Sequence, residues 1–315
     1  MLRSMFISLS HVKWAQEALT RAPLARNVAR RFIAGQTLPE AIDAIRSLNA
    51  YGINATLDCL GESVHERAAA EAARDEYLRA IDEIDQAGVR ANVSVKLTQF
   101  GLDIDKDFCV DNVRRLVARA AELGNFVRID MEDSAHTDVT LEVVYALRKD
   151  FDNVGVVLQS YLYRTENDQA ALTAAGVPIR LCKGAYQEPS EVAHPDKAEV
   201  DLSYIKLARQ LMDASAALPP ADPSGRRPAL AALATHDVAM IHAAKRHAER
   251  LGIPRDRFEF QMLYGIRRDL QEQLAADGYA VRAYVPYGTH WYPYFMRRLA
   301  ERPANVWFIA SNLLR

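Results

Sequence analysis

Between residues 54 and 302 the sequence alternates, eight times over, a short β-rich run with a longer amphipathic one. The strand-like runs are 54–60, 92–97, 126–131, 155–160, 178–182, 229–234, 258–262 and 280–285. The helical runs that follow them are 63–87, 108–123, 139–149, 166–175, 201–217, 238–251, 266–277 and 290–302. Strands alternating with helices imply parallel pairing, since each return to the sheet needs a crossover. Eight regular units predict an α/β fold of the closed (β/α)8, TIM-type barrel. A doubly wound open sheet is the alternative, but it rarely uses eight regular units, and no GxGxxG turn follows the first strand. The stretch 187–197 reads as a polar insertion and 218–228 (LPPADPSGRRP) as a Pro/Gly-rich loop. Because 218–228 interrupts a repeat, it marks a loop rather than a domain boundary.

Residues 1–51 carry helical spacing over 12–24, 24–34 and 39–51, punctuated by Pro23, Gly35 and Gly52. The expectation is a single domain: a helical segment 1–51 packing on a catalytic barrel 52–315. Residues 1–31 hold six Lys or Arg and one acid, Glu17. Such a segment suits peripheral contact with an anionic membrane surface, or a soluble helix pair covering one end of a core. The net charge of −2 gives no reason to expect nucleic acid. Cys59, Cys109 and Cys182 are isolated, with no CxxC pair, which fits a reducing cytoplasm. There is no HExxH, no His pair at ligand spacing and no Asp/Glu box, so no metal is expected.

In a barrel of this kind, chemistry collects at the C-terminal ends of the strands. Those ends carry Asp58 and Glu62; Lys96; Arg128, Asp130, Glu132 and Asp133; Gln159 and Tyr161; Arg180 and Lys183; Thr235, His236 and Asp237; Gln261, Leu263 and Tyr264; and Arg282 with Tyr284. Asp58, Glu132 and Asp133 read equally as helix caps or ion-pair partners. His236 alone reads as a hydrogen-bonded structural residue before it reads as a base. Lys96 and Arg180 stand on β-rich runs, where a buried cation needs a partner. On the last helix Tyr294, Arg297, Arg298 and Glu301 are spaced i, i+3, i+4, i+7 and share one face. That face is either solvated, with Arg297 paired to Glu301, or a clamp for a carboxylate or phosphate. Lys96, Arg297 and Arg298 suffice for one carboxylate, and Arg180 with Lys183 remain for a second, anionic or electron-rich ligand. A Schiff-base aldolase using Lys96 or Lys183 and a non-catalytic anion-binding barrel are the competing readings.

These residues lie in an ordered set of motifs: LDCLGE (57–62), VSVKL (93–97), RIDMED (128–133), RLCKGAY (180–186), ATHD (234–237), FEFQMLYG (258–265) and YVPYGTH…YPYFMRRLAE (284–301). The set resembles the proline dehydrogenase family in its monofunctional bacterial form, over about residues 35–312. The resemblance implies an FAD-containing barrel that oxidises L-proline to Δ1-pyrroline-5-carboxylate by hydride transfer to flavin N5. It implies a membrane quinone as electron acceptor and a separate pyrroline-5-carboxylate dehydrogenase as the next enzyme. Lys96, Arg297 and Arg298 are then expected to bind the proline carboxylate, with Tyr284, Tyr294 and Leu263 against the ring. Asp130 and Glu301 are expected to hold the cations, and Glu62 to pair with Arg297 as a gate when the site is empty. Arg180 is expected beside flavin N5, with Gln159, Lys183, Gly184, Ala185, Tyr186, Thr235, His236, Gln261 and Leu263 around the cofactor. The arginine pair then requires the last helix to lean over the strand ends rather than lie beside the barrel wall.

Overall fold

The computed structural model describes residues 29–61 and 63–301, the side chains at 297 and 299–301 excepted. Eight parallel strands close in sequence order: β1 (Asn54–Cys59), β2 (Ala91–Val95), β3 (Val127–Ile129), β4 (Val154–Gln159), β5 (Ile179–Cys182), β6 (Ala231–Ala234), β7 (Phe258–Leu263) and β8 (Ala280–Tyr287). Strand β8 pairs back onto β1, with Thr56 opposite Tyr284 and Asp58 opposite Pro286. Helix α1 (Leu38–Asn49) precedes the barrel. The crossovers are α2 (Arg67–Gln86), α3 (Lys106–Glu122), α4 (Thr137–Arg148), α5 (Thr165–Ala174), α6 (Lys197–Ala216), α7 (Val238–Leu251) and α8 (Arg268–Ala276), and α9 (Trp291–Glu301) follows β8. The closed barrel expected from the alternation is therefore the fold found. The expected helix over 12–24 and residues 24–28 of the one over 24–34 lie outside the described residues, and residues 30–33 form a turn and bend rather than continuous helix.

Several expected strands are shorter than their β-rich runs. β2 ends at Val95 and β3 at Ile129, because the chain turns into 3-10 turns at Leu97–Phe100 and Ser134–His136. Lys96 and Asp130 therefore stand just past the ladder, where side chains can bend over the barrel mouth. Helix starts follow local chemistry. Glu40 Oε2 accepts from the Gln36 and Thr37 N–H groups at 2.7 and 3.0 Å, and Asp105 accepts from Phe108 N–H at 2.8 Å.

The strands alternate with period two. Ala55, Leu57, Val93, Val95, Val127, Ile129, Phe258, Phe260, Val281 and Ala283 join the main apolar core. The residues between them are mostly polar and face the lumen. Their hydrogen bonds show this, since they join strands that are not neighbours: Arg180 with Asp130, Arg180 with Gln261, Tyr284 with Asp130. Cys109 is buried, while Cys59 and Cys182 pack half-buried against the main core.

Candidate functional site

The lumen has a floor and a mouth. At the floor Arg282 makes two bonds to Glu259, Nε to Oε1 at 3.0 Å and Nη2 to Oε2 at 3.2 Å. Its Nη1 donates to the Ala55 and Gly225 carbonyls at 2.7 and 3.0 Å. Arg128 is also buried there and donates to the Val156 and Pro178 carbonyls. Burial first, and then Arg180, drive its pKa well below the usual guanidinium range. Arg128 and Arg282 were expected among the strand-end groups of the mouth. They sit instead at the opposite end, because each lies two residues before the position that reaches it.

At the mouth, Lys96 donates to Asp58 Oδ1 at 3.1 Å, and Tyr77 from α2 donates to the same oxygen at 3.1 Å. Asp58 is buried and its Oδ2 has no protein partner. Asp130 accepts from Arg180 Nη1 at 2.8 Å and from the Tyr284 hydroxyl at 2.9 Å. The Arg180 guanidinium also stands 5.4 Å from the Tyr284 ring centroid. Arg180 Nε donates to Gln261 Oε1. Burial, with Asp130 next, raises the Tyr284 hydroxyl well above its usual range, so it stays a donor. Burial lowers the Lys96 ammonium, but Asp58 and Asp130 more than offset that, and its pKa is raised. The structure thus brings together Lys96, Asp130, Arg180, Gln261 and Tyr284 from five different strand ends.

A second group flanks the first on the β4–β7 side. Gln159 donates to the Glu132 carbonyl at 2.8 Å and accepts from Ala185 N–H at 3.1 Å. Gly184 has φ +139, and a Cβ there would come within 2.6 Å of the Tyr161 ring. Lys183 donates to Asp201 and Asp237 at 2.5 and 2.7 Å. Thr235 Oγ1 accepts from Asp237 N–H at 3.0 Å, and His236 Nε2 accepts from Leu263 N–H at 2.9 Å. The Tyr186 side chain is partly exposed. Among the carboxylates that read equally as caps or partners, Asp58 is the ion-pair partner and Glu132 accepts from Thr98 Oγ1 at 2.7 Å. Asp133 caps the turn at Ser134–His136 and holds His136 Nδ1 at 2.6 Å.

Helix α9 covers the mouth. Trp291, Tyr292, Tyr294, Phe295 and Met296 are buried with Phe32, Ile33, Leu60 and Ile266, and Leu263 packs against them. Leu60, Leu263 and Ile266 lie at or beyond the C-terminal ends of β1 and β7, so α9 lies over the strand ends. Arg298 stands with its guanidinium 5.0 Å from the Tyr294 ring centroid. Glu62 and the side chains of Arg297 and Glu301 lie outside the described residues. The sequence reading missed Tyr77, Asp201 and Glu259. Glu259 carried a signal, an acid within an apolar strand run, whereas Tyr77 and Asp201 sit in helices with nothing local to mark them. Among the described residues there is no His, Cys, Asp and Glu cluster arranged to hold a metal. No helix among them is long and apolar enough to cross a membrane.

The sequence profile of the family described as proline dehydrogenase matches residues 41–311. A proline dehydrogenase of Deinococcus radiodurans is 44% identical over 294 residues, covering 92% of this chain and 91% of its own. Proline dehydrogenase 1 of Bacillus subtilis is 38% identical over 316 residues, covering 100% of both chains. The crystal structure of proline utilization A from Bdellovibrio bacteriovorus inactivated by N-propargylglycine superposes with a TM-score of 0.78 at 28% identity. It covers 88% of this chain, which spans 33% of that longer one.

Proposed function

This chain belongs to the proline dehydrogenase family, and from that premise we propose how it carries out proline oxidation, the first step of proline catabolism. In this reading the residues at the strand ends would hold FAD, and a membrane quinone would take the electrons onward. The observation that carries the reading is the mouth cluster, in which Lys96 is paired with Asp58 and Arg180 with Asp130, and the charge of Asp130 also acts on Lys96.

The flanking group fits a flavin dinucleotide. At Gly184 the chain leaves β5 with no side chain, and Ala185 N–H is already fixed by Gln159. Arg180 and Lys183 each arrive oriented by carboxylates. Arg180, Gln261 and Leu263 would face the reactive end of the cofactor. Gln159, Lys183, Gly184, Ala185, Tyr186, Thr235 and His236 would hold the rest. When bound, FAD supplies the two-electron acceptor that takes the hydride from the ring carbon next to nitrogen, on the side away from the carboxylate.

The remaining work falls to the chain. Lys96, Arg297 and Arg298 clamp the proline carboxylate, which fixes the ring in orientation. Tyr284 and Tyr294 close on the ring, and Leu263 lies beside it. Asp130 and Glu301 hold the cations in place. Clustered positive charge lowers the pKa of the proline amine, so it loses its proton to solvent; its lone pair forms the C=N bond as the hydride leaves, and the resulting iminium gives its remaining N–H proton to solvent to yield Δ1-pyrroline-5-carboxylate. Glu62 releases Arg297 when substrate enters. The basic balance of residues 1–31 supports electron delivery at an anionic membrane surface facing the cytoplasm. The product is a cyclic imine that opens to an aldehyde, so a separate pyrroline-5-carboxylate dehydrogenase would consume it; a relative named bifunctional protein PutA in Escherichia coli, of which this chain spans 24%, carries a second function in one longer chain.

The test is the colour of the purified protein. It is expected to be yellow, to release FAD on denaturation and to bleach when proline is added without oxygen. A colourless protein, or a yellow one that proline leaves oxidised, overturns the reading.

A further inference from the structure

Glu259 lies two residues before Gln261 on β7, about 6–7 Å deeper in the barrel at strand rise. It is fully buried and forms no part of the mouth. Yet it begins an unbroken chain of hydrogen bonds that ends there. Arg282 donates twice to Glu259. The Gln261 amide donates to Glu259 Oε1 through Nε2 and accepts from Arg180 Nε through Oε1. Arg180 Nη1 then donates to Asp130, whose other oxygen accepts from Tyr284.

Each link constrains the next. A guanidinium only donates and an ionised carboxylate only accepts. With Arg282 below it, Glu259 must remain an acceptor. The NH2 end of Gln261 must therefore point down, and its carbonyl end must point up at Arg180. Between Arg282 and Asp130, only the Gln261 amide can be reversed, and reversal would set a donor against the Arg180 Nε–H.

We propose that Glu259 is a positioning residue for the reaction: by fixing the direction of the Gln261 amide, it holds the Arg180 guanidinium in place for the bound flavin. The inference rests on the reading of Arg180 as the flavin's neighbour. It also assigns Gln261 a relay role in addition to any contact with the cofactor.

In Glu259→Gln, one neutral amide oxygen replaces two carboxylate oxygens that together take three donors, Nε and Nη2 of Arg282 and Nε2 of Gln261, so the pull that orients the Gln261 amide is weakened and the amide is released to turn over. The experiment compares parent and Glu259→Gln holoenzymes for FAD content, proline KM and kcat, and the reduction potential of the bound flavin. The variant is expected to keep its FAD, to hold KM within about twofold, to lose about tenfold in kcat, and to show a lower potential. A tenfold loss in the reduction equilibrium is about 30 mV for a two-electron couple. The sign discriminates, because removing a buried negative charge would by itself raise the potential. A potential unchanged or raised, or an unchanged kcat, overturns the inference. Should Glu259→Gln fail to fold, Glu259→Met with Arg282→Met replaces the ion pair by apolar groups, a change buried pairs tolerate. The same fall is expected there, and a parental potential overturns the inference. A parent that holds no flavin overturns the functional reading and this inference with it. A parent that proline reduces, beside an unaffected variant, overturns this inference alone.

Discussion

Lys96 is held between opposing effects. Burial disfavours its charged form, while Asp58, Asp130 and Glu132 favour it, and the balance leaves its pKa raised. A group raised in the folded state contributes stability that is fully present below its unfolded pKa. That contribution is lost as pH rises through the folded value. Asp58→Asn removes the negative charge 3.1 Å from the Lys96 ammonium and lowers the Lys96 pKa. The expected outcome is an alkaline limb of kcat/KM for proline at lower pH than in the parent. At neutral pH the loss should be about 1.5–3 kcal/mol, the scale of a charge-assisted hydrogen bond. A pH–rate profile checks this, and an alkaline limb left where it was would remove Asp58 from the account. The same residues show how far the sequence could be read. Lys96, with its polar spacing and need for a partner, was legible as a site cation. Its partner was legible only as one of two equal possibilities, because capping and pairing use the same carboxylate.

At the scale of the element, β3 and β4 were legible as strands, but the reason for Gly155 was not. Gly155 lies opposite Arg128 in the ladder. A Cβ there would come within 2.6 Å of the Arg128 guanidinium and 2.7 Å of the Phe126 ring, and against the Pro178 carbonyl as well. The glycine is the space through which Arg128 reaches its two carbonyl acceptors. Gly155→Ala should cost about 1–3 kcal/mol, the scale of overpacking, read as a lower urea midpoint with the slope unchanged. A parental midpoint would mean the floor is more yielding than drawn. The loop 218–228 also acquires a task. Gly225 and Arg226 give their carbonyls to Arg282 and Asn92 at 3.0 and 2.9 Å. The Pro/Gly-rich stretch therefore closes the floor of the barrel. Its composition announced a turn, whereas its position under the lumen depends on strands that are distant in sequence.

At the scale of the molecule, two of the apolar clusters among the described residues differ in kind. The main core joins the strands to their crossover helices. The smaller one joins α9 to Phe32, Ile33, Leu60 and Ile266 over the mouth. Its weakening should reach the site before it reaches the fold. Phe295→Ala removes a ring that packs 5.8 Å from Trp291 and 6.2 Å from Phe32, centroid to centroid. Buried Phe→Ala changes cost about 3–5 kcal/mol locally. The expected result is a proline KM raised about tenfold or more, with the global unfolding midpoint little changed. Steady-state kinetics beside thermal unfolding check it, and a collapsed midpoint with parental KM would show the cap to be part of the main core. The sequence by itself determined the number, order and type of the repeating units, and therefore the closed barrel, because hydrophobic periodicity is a local property. It also determined which cations and aromatics the site has to work with. Only the tertiary structure decided which of two positions on one strand is mouth and which is floor. Arg128 and Asp130, or Glu259 and Gln261, differ by two residues and share a face, so their periodicity is identical. What separates them is their depth in the lumen and the partners brought there by other strands.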